Sequence, residues 1–246
     1  MTTTFYVPPA HIDNGRVVLP DDEARHAVRV LRHGPGDEIV VVDGVGGRHC
    51  VRLTETDKRS AAGEIIATER EVGEPPYRLR IGLGTLKNAS RFETFAEKAV
   101  ELGVSEIVPL VTERTERMSL KAQRMENILV AAMKQSGRSR LPVLAEPQPL
   151  ADVLADEAAG ARILCHESAD PDALLPAILS SGPTAGALTV LVGPEGGFSE
   201  AEVLEAERAG WRVASLGPRR LRAETAAIVA AAAVMFAASQ RVVGRE

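Results

Sequence analysis

Beyond residue 79 the chain alternates short apolar runs of strand character with segments of helical periodicity, and this alternation restricts the fold more than any other feature. Leu79 to Leu86, Glu106 to Val111, Arg162 to His166, Leu188 to Val192 and Trp211 to Leu216 read as strands. Between the first two, Ser90-Arg91-Phe92-Glu93 reads as a capping box opening a helix that turns Phe92, Phe95, Ala99 and Leu102 inward and stops at Gly103. A second helix, from Leu120 to Ser136, places Met125, Ile128, Leu129, Ala132 and Met133 on one face. Strands separated by helices imply an α/β fold with a largely parallel sheet. Open sheets of that kind bind ligands beyond the carboxyl ends of their strands.

The N-terminal part has a different texture. Ile39 to Val42, a turn at Asp43-Gly44-Val45-Gly46-Gly47 and an extended stretch from His49 to Leu53 indicate a small β-rich unit. A short helix interrupts it, capped by Asp21 or Asp22, with Ala24, Val28 and Leu31 on one face and Arg25, Arg29 and Arg32 together on another. Glu71-Val72-Gly73-Glu74-Pro75-Pro76 reads as a linker, because its prolines remove backbone donors. Two domains are therefore expected, residues 1–72 and 73–246.

Several classes of protein are disfavoured. The longest apolar run, Ala226 to Ala238, falls short of the roughly 20 residues that span a bilayer, and no secretory pattern opens the chain. Cys50 and Cys165 fit neither a disulfide framework nor a zinc ribbon, so a cytoplasmic location and no metal are expected. A net charge of -5 argues against a non-specific nucleic-acid coat. Residues 73–150, however, carry 12 Lys and Arg against 9 Asp and Glu, so nucleic-acid contact is expected to be local.

Two loops at neighbouring strand ends carry the chemistry. Gly193-Pro194-Glu195-Gly196-Gly197 follows a buried strand and leads into a capping box, Ser199-Glu200-Ala201-Glu202. Its glycines permit close approach of a ligand to backbone, and the helix start offers free N–H groups. Alone it reads more readily as a strand-to-helix turn than as a ligand loop; no Gly-Lys-Ser/Thr follows, so it is not a Walker loop. Gly217-Pro218-Arg219-Arg220-Leu221-Arg222-Ala223-Glu224-Thr225 crowds three arginines at the next strand end, and alone it reads equally as a solvated basic loop whose Glu224 or Thr225 caps a helix.

Gly193 to Ser199 with Glu202, and Leu221-Arg222-Ala223-Glu224-Thr225-Ala226, resemble the paired C-terminal signatures of the bacterial 16S rRNA (uracil-N3)-methyltransferases of the SPOUT superfamily. Arg25-His26, Val30-Leu31-Arg32, Gly36-Asp37, Glu101-Leu102-Gly103-Val104 and Lys134-Gln135-Ser136-Gly137-Arg138 match further landmarks in order, so the resemblance covers essentially the whole chain. It departs where the family has two histidines in the first helix and a small apolar residue at the position of Arg220.

The resemblance implies a PUA-like β-barrel docking RNA at the N-terminus, a C-terminal SPOUT domain with a trefoil knot, and a homodimer. Ala226 to Ala238, apolar almost all round, suits burial between subunits as well as in a core. It implies methyl transfer from S-adenosylmethionine to N3 of a specific uridine of 16S rRNA in the small ribosomal subunit, by that likeness uridine 1498. The cofactor is then held by His166 and Glu167, by Val192, Gly193, Pro194, Glu195 and Gly196, and by Leu216, Gly217, Leu221, Arg222, Ala223 and Thr225.

Removing the N3 proton of uracil leaves charge on the flanking carbonyl oxygens, so a cation aimed at them assists. Arg222 is the candidate for that role, and Glu224 the candidate proton acceptor or, equally, a helix cap. Arg25, Arg29, Arg32, Lys87, Arg91, Lys134 and Arg138 are candidate phosphate contacts. Two other readings compete. Gly82-Leu83-Gly84-Thr85-Leu86-Lys87 imitates a nicotinamide-dinucleotide fingerprint, with Lys87 where the third glycine belongs. A non-catalytic RNA-binding protein is the other, disfavoured by the presence of both C-terminal loops.

Overall fold

The computed structural model describes residues 3–115, 120–156, 160–181 and 186–243. The chain forms two compact units, Met1–Glu74 with Val130–Leu141, and Pro75–Leu129 with Pro142–Glu246. The expected division between residues 72 and 73 left 130–141 in the second domain, whereas the structure groups that segment with the first.

In the first unit β1 (Thr4–Tyr6), β2 (Ile12–Asp13), β3 (Arg16–Val18), β4 (Glu38–Val42), β5 (Gly47–Thr56) and β6 (Ala61–Arg70) form one sheet in the order β1-β4-β5-β6-β3-β2. Only the β1–β4 pair is parallel. Alternation puts Ile39, Val41, Val51 and Leu53 on one face, where they enclose Phe5, Val7, Val17 and Leu19. The expected turn at 43–47 is built by Asp43, whose Oδ1 accepts from the amides of Val45 and Gly47, both at 2.8 Å.

The short helix departs from expectation. Pro20, not an aspartate, precedes α1 (Asp21–Arg25), and the next turn, His26–Val30, is wound as a π-helix. The wider turn breaks the 3.6-residue spacing, so Arg25, Arg29 and Arg32 do not share a helical face. Arg25 pairs with Asp22 at 3.2 Å, Arg29 Nε donates to the carbonyl of Lys58 at 3.1 Å, and Arg32 has left the helix with φ +61°.

The segment expected to be a linker is an anchor. Glu74 accepts from the Arg138 guanidinium, with Nη2 to Oε2 at 2.7 Å, and from the amides of Ser139 and Arg140 at 3.0 and 2.8 Å. Both side chains of this ion pair are buried, 3% exposed for Arg138 and 7% for Glu74. Glu71 pairs in the same way with Arg140, Nε to Oε2 at 2.7 Å. Arg138 therefore has no side-chain surface to offer a phosphate, which corrects its place among the RNA contacts. Lys134, expected to be another, is 2.5 Å from Glu23.

The second unit is an α/β layer built on a parallel sheet. Its strands are β7 (Tyr77–Gly84), β8 (Glu106–Val111), β9 (Val143–Leu144), β10 (Gln148–Pro149), β11 (Ala161–Cys165), β12 (Gly186–Val192) and β13 (Arg212–Ala214). Their order is β10-β8-β7-β12-β11-β13, with β9 also on β8, and every pair is parallel. Val108, Leu110, Leu164 and Leu191 pack on one face with Leu150, Val153 and Leu154 of α4 (Leu150–Ala155), Ala206 of α6 (Glu200–Arg208) and Trp211. The Trp211 indole N–H donates to the carbonyl of Leu154 at 3.2 Å.

Ile81, Leu83, Ile107, Ile163 and Val190 alternate with those residues and are equally buried. Two helices that contact each other are α2 (Ala89–Glu101), burying Phe92, Phe95, Ala96, Ala99 and Val100, and α7 (Ala223–Val243). α7 also contacts β7, β12 and α5 (Leu175–Ser181). The predicted box at Ser90 is replaced by Asn88, whose side chain accepts from the Ser90 amide at 3.0 Å. Glu93 instead holds Arg124 of α3 (Ala122–Ser136) at 2.5 and 2.8 Å.

Gly82 and Gly84 lie inside β7, not in a phosphate loop, which removes the dinucleotide reading. A Cβ on Gly82 would come within 2.6 Å of Leu191 Cδ2. One on Gly84 would come within 2.9 Å of the Gly193 carbonyl carbon and closer still to the Pro194 nitrogen.

The Glu74–Arg138 pair yields a stability prediction. Arg138→Ala leaves a buried carboxylate short of its cation, so urea unfolding is expected to show a loss of about 3–5 kcal/mol. A loss below about 1 kcal/mol, the range of exposed pairs, would show that Glu74 finds other compensation.

Candidate functional site

A cavity of about 420 Å³ opens within the second unit at the carboxyl ends of β11, β12 and β13, neighbours in the sheet. Parallel pairing makes this possible, since it brings the three following loops to one edge. Cys165, His166 and Glu167 contribute from β11, Val192 to Gly197 from β12, and Ser215 to Gly217 with Arg219 to Ala223 from β13 and the head of α7. Of the residues predicted to hold a cofactor, all line this cavity except Thr225, which is exposed on α7. Cys165, Gly197, Ser215, Arg219, Arg220 and Ala226 also line it.

The glycine-rich loop is shaped for close approach. A Cβ on Gly193 would lie 2.9 Å from backbone of Gly197 and Phe198, so the loop folds back on itself only with glycine there. Gly197, at φ +68°, and Gly217, at φ +104°, would each project a Cβ into open space. The capping box predicted at Ser199 is present: its Oγ accepts from the Glu202 amide at 3.3 Å, and Glu202 Oε2 accepts from the Ser199 amide at 2.7 Å.

Side chains around the loop fix its carbonyls. His166 Nδ1 accepts from the Ser168 amide at 3.2 Å, so its proton sits on Nε2, which faces the Phe198 carbonyl at 3.3 Å. Cys165 is buried at the cavity wall, and burial pushes its thiol up to about 12, which keeps it neutral. Arg219, Arg220 and Arg222 are exposed and make the rim basic, opposed by Glu167 and Glu195.

The two candidate catalytic residues part company. Arg222 lines the cavity. Glu224 does not: it is 8% exposed, its Oε1 lies 3.9 Å from Arg91 Nε, and its Oε2 has no hydrogen-bond partner. Arg91 also reaches Glu195 at 3.5 Å, so it stands between the two loops rather than free for a phosphate. Sequence reading missed Arg114 altogether. Its Nη1 donates to the carbonyls of Gly196 and Phe198 at 2.8 and 3.3 Å from a loop 82 residues earlier, a separation at which no local pattern signals contact.

Comparison with known proteins agrees with this geometry. Residues 73–235 match the RNA methyltransferase domain family, and residues 19–66 match the RNA methyltransferase PUA domain. A protein named ribosomal RNA small subunit methyltransferase E from Mycobacterium tuberculosis is 33% identical over 94% of this chain and 90% of its own length. A probable rRNA-methyltransferase of Porphyromonas gingivalis superposes with a TM-score of 0.86 at 34% identity, covering 97% of this chain and 99% of that one. The ribosomal RNA small subunit methyltransferase E of Neisseria gonorrhoeae, solved bound to S-adenosyl methionine, gives 0.79 at 31% identity over 96% and 98%. The chain belongs to the RNA methyltransferase family, with a family-specific PUA domain ahead of its methyltransferase domain.

Proposed function

We propose that this protein transfers a methyl group from S-adenosylmethionine to N3 of one uridine, uridine 1498 by family resemblance, in the 16S rRNA of the small ribosomal subunit. One observation carries the reading: the glycine-rich loop and the arginine loop, separate in sequence, wall a single cavity whose backbone is bare at Gly197 and Gly217. A cradle that side chains would fill, polar at its edges and apolar at Val192 and Leu221, fits a flat heteroaromatic ring joined to a charged tail. Backbone of Gly193 to Gly196, Leu216 and Gly217 would hold the ring, while Glu167 and Glu195 offer carboxylates to an ammonium.

Bound there, the cofactor supplies an electrophilic methyl group on a sulfonium. The chain itself supplies position and charge, which account for much of the rate in such transfers. Arg222 lines the cavity wall, which supports a role in which its guanidinium would stabilise the charge that the carbonyl oxygens of an N3-deprotonated uracil gain. Glu224, outside the cavity lining with Oε1 3.9 Å from Arg91 Nε, would position the head of α7, and the N3 proton would leave to solvent.

The target base must be exposed in folded RNA for its N3 to be reached. Arg25, Arg29, Arg32 and Lys87 remain the candidate contacts, with Arg29 beside Val30, 66% exposed, on the π-turn. A closed barrel for the first unit, a trefoil knot in the second and action in the cytoplasm belong to the same proposal. So does a homodimer: Val229 and Phe236, one heptad apart on α7, are exposed, Phe236 by 62%, and bare apolar side chains of that size suit a second copy.

Three outcomes are expected. Incubation with labelled S-adenosylmethionine and small subunits lacking the modification should place label on N3 of a single uridine; label on another atom, or none, overturns the proposal. Arg222→Ala should lower kcat by about 10²–10³-fold with cofactor affinity kept, while Glu224→Gln retains most turnover; the reverse pattern would make Glu224 the base. Phe236→Glu should shift sedimentation to the monomer without lowering the melting temperature of the second unit, and an unshifted dimer would move the interface elsewhere.

A further inference from the structure

The glycine-rich loop is held from behind by a side chain outside the cavity. Arg114, in the loop after β8, directs Nη1 at the carbonyls of Gly196 and Phe198 at 2.8 and 3.3 Å. Beside it the Glu113 amide donates to Glu202 Oε1 at 2.8 Å, so the carboxylate that completes the capping box also receives the β8 loop. That loop is itself braced, with Thr115 Oγ1 donating to the Thr112 carbonyl at 2.8 Å and accepting from the Thr112 amide at 3.2 Å. A Cβ on Gly196 would lie 3.2 Å from Arg114 Cβ, a tight contact, so the clasp packs closely against this glycine.

We infer that Arg114 is a positioning residue for the cofactor: its guanidinium fixes the shape of Gly193–Phe198 before any ligand arrives. The inference rests on the reading of the cavity as an S-adenosylmethionine site. Three glycines in five residues give this loop a large conformational entropy to lose, and what is lost before binding is not subtracted from affinity. The clasp also acts electrostatically. A cation on the Gly196 and Phe198 carbonyls polarises the peptides that carry the Gly197 and Ser199 amides, which donate to Pro194 O at 2.9 Å and Glu202 Oε2 at 2.7 Å. Both bonds of the turn are thereby strengthened. Since β8 and β12 flank β7 on opposite sides, the clasp joins the two halves of the sheet where their loops diverge.

The test compares Arg114→Ala and Arg114→Lys with wild type, each as the full chain. By calorimetry with S-adenosylmethionine, Arg114→Ala should bind about tenfold or more weakly and Arg114→Lys fall between, because an ammonium keeps the charge but not the fork. KM for the cofactor should rise while kcat at saturation and KM for RNA stay near wild type. Guanidinium chloride at non-denaturing concentration should restore part of the affinity of Arg114→Ala and none to wild type. In cofactor-free protein, amide exchange should quicken across 193–199 in Arg114→Ala and remain unchanged across 186–192. Unchanged affinity and exchange overturn the inference, as does quickened exchange through both segments, which marks a general stabiliser. Failure of wild type to bind overturns the cofactor reading instead, and this inference with it.

Discussion

The approach of two backbones at the end of β7 is the constraint on which the cavity depends. Gly84 lies against Gly193 and Pro194 so closely that a methyl group on it would meet their backbone atoms inside van der Waals contact. Because β12 pairs with β7 along its length, from Gly186 opposite Tyr77 to Val192 opposite Leu83, the chain leaving β12 must turn over the end of β7. A side chain at Gly84 would lift that turn. Everything downstream inherits its position: the fold-back at Gly193, the capping box at Ser199 and the wall that the turn presents.

Charge is used in two distinct ways around this wall. The arginines that face outward, Arg219, Arg220 and Arg222, are exposed and make a basic rim on an otherwise acidic chain. Arg91 and Arg114 are instead engaged, Arg91 by Glu195 and Glu224, Arg114 by two carbonyls. The first set is available to an anionic polymer and its effect is screened by salt, whereas the second set acts at short range on the loops themselves, Arg91 through ion pairs and Arg114 through hydrogen bonds. A negative net charge is therefore compatible with an RNA substrate, because the attraction is concentrated where the chemistry is.

Much of the second unit was legible because parallel strands buried on both faces read as continuous apolar runs, and the expected strand at Glu106–Val111 coincides with β8. The Ser199 box was legible because both of its bonds are local. What escaped was non-local or irregular. Asn88 outcompeted Ser90 as a cap, a choice between two good capping residues that sequence alone does not rank. The π-turn displaced the arginines of the first helix, and a wider turn leaves no sequence signature. Glu74 read as part of a proline-rich linker because its partner lies 64 residues on. The cavity itself was legible from its two glycine and arginine loops, but Arg114, approaching from the other side of β7, was not.

The Glu74–Arg138 pair bears on how the molecule is made. The sheet that precedes Glu74 is complete by Arg70, yet the cation that neutralises Glu74 is translated only after the first two strands of the following domain, β7 and β8. During synthesis, then, the amino-terminal unit waits with an acidic group exposed and its closing segment still inside the ribosome. Its last segment is therefore synthesised only after a neighbour's first strands, and a gene cut at residue 72 would deliver a fragment lacking its own last piece.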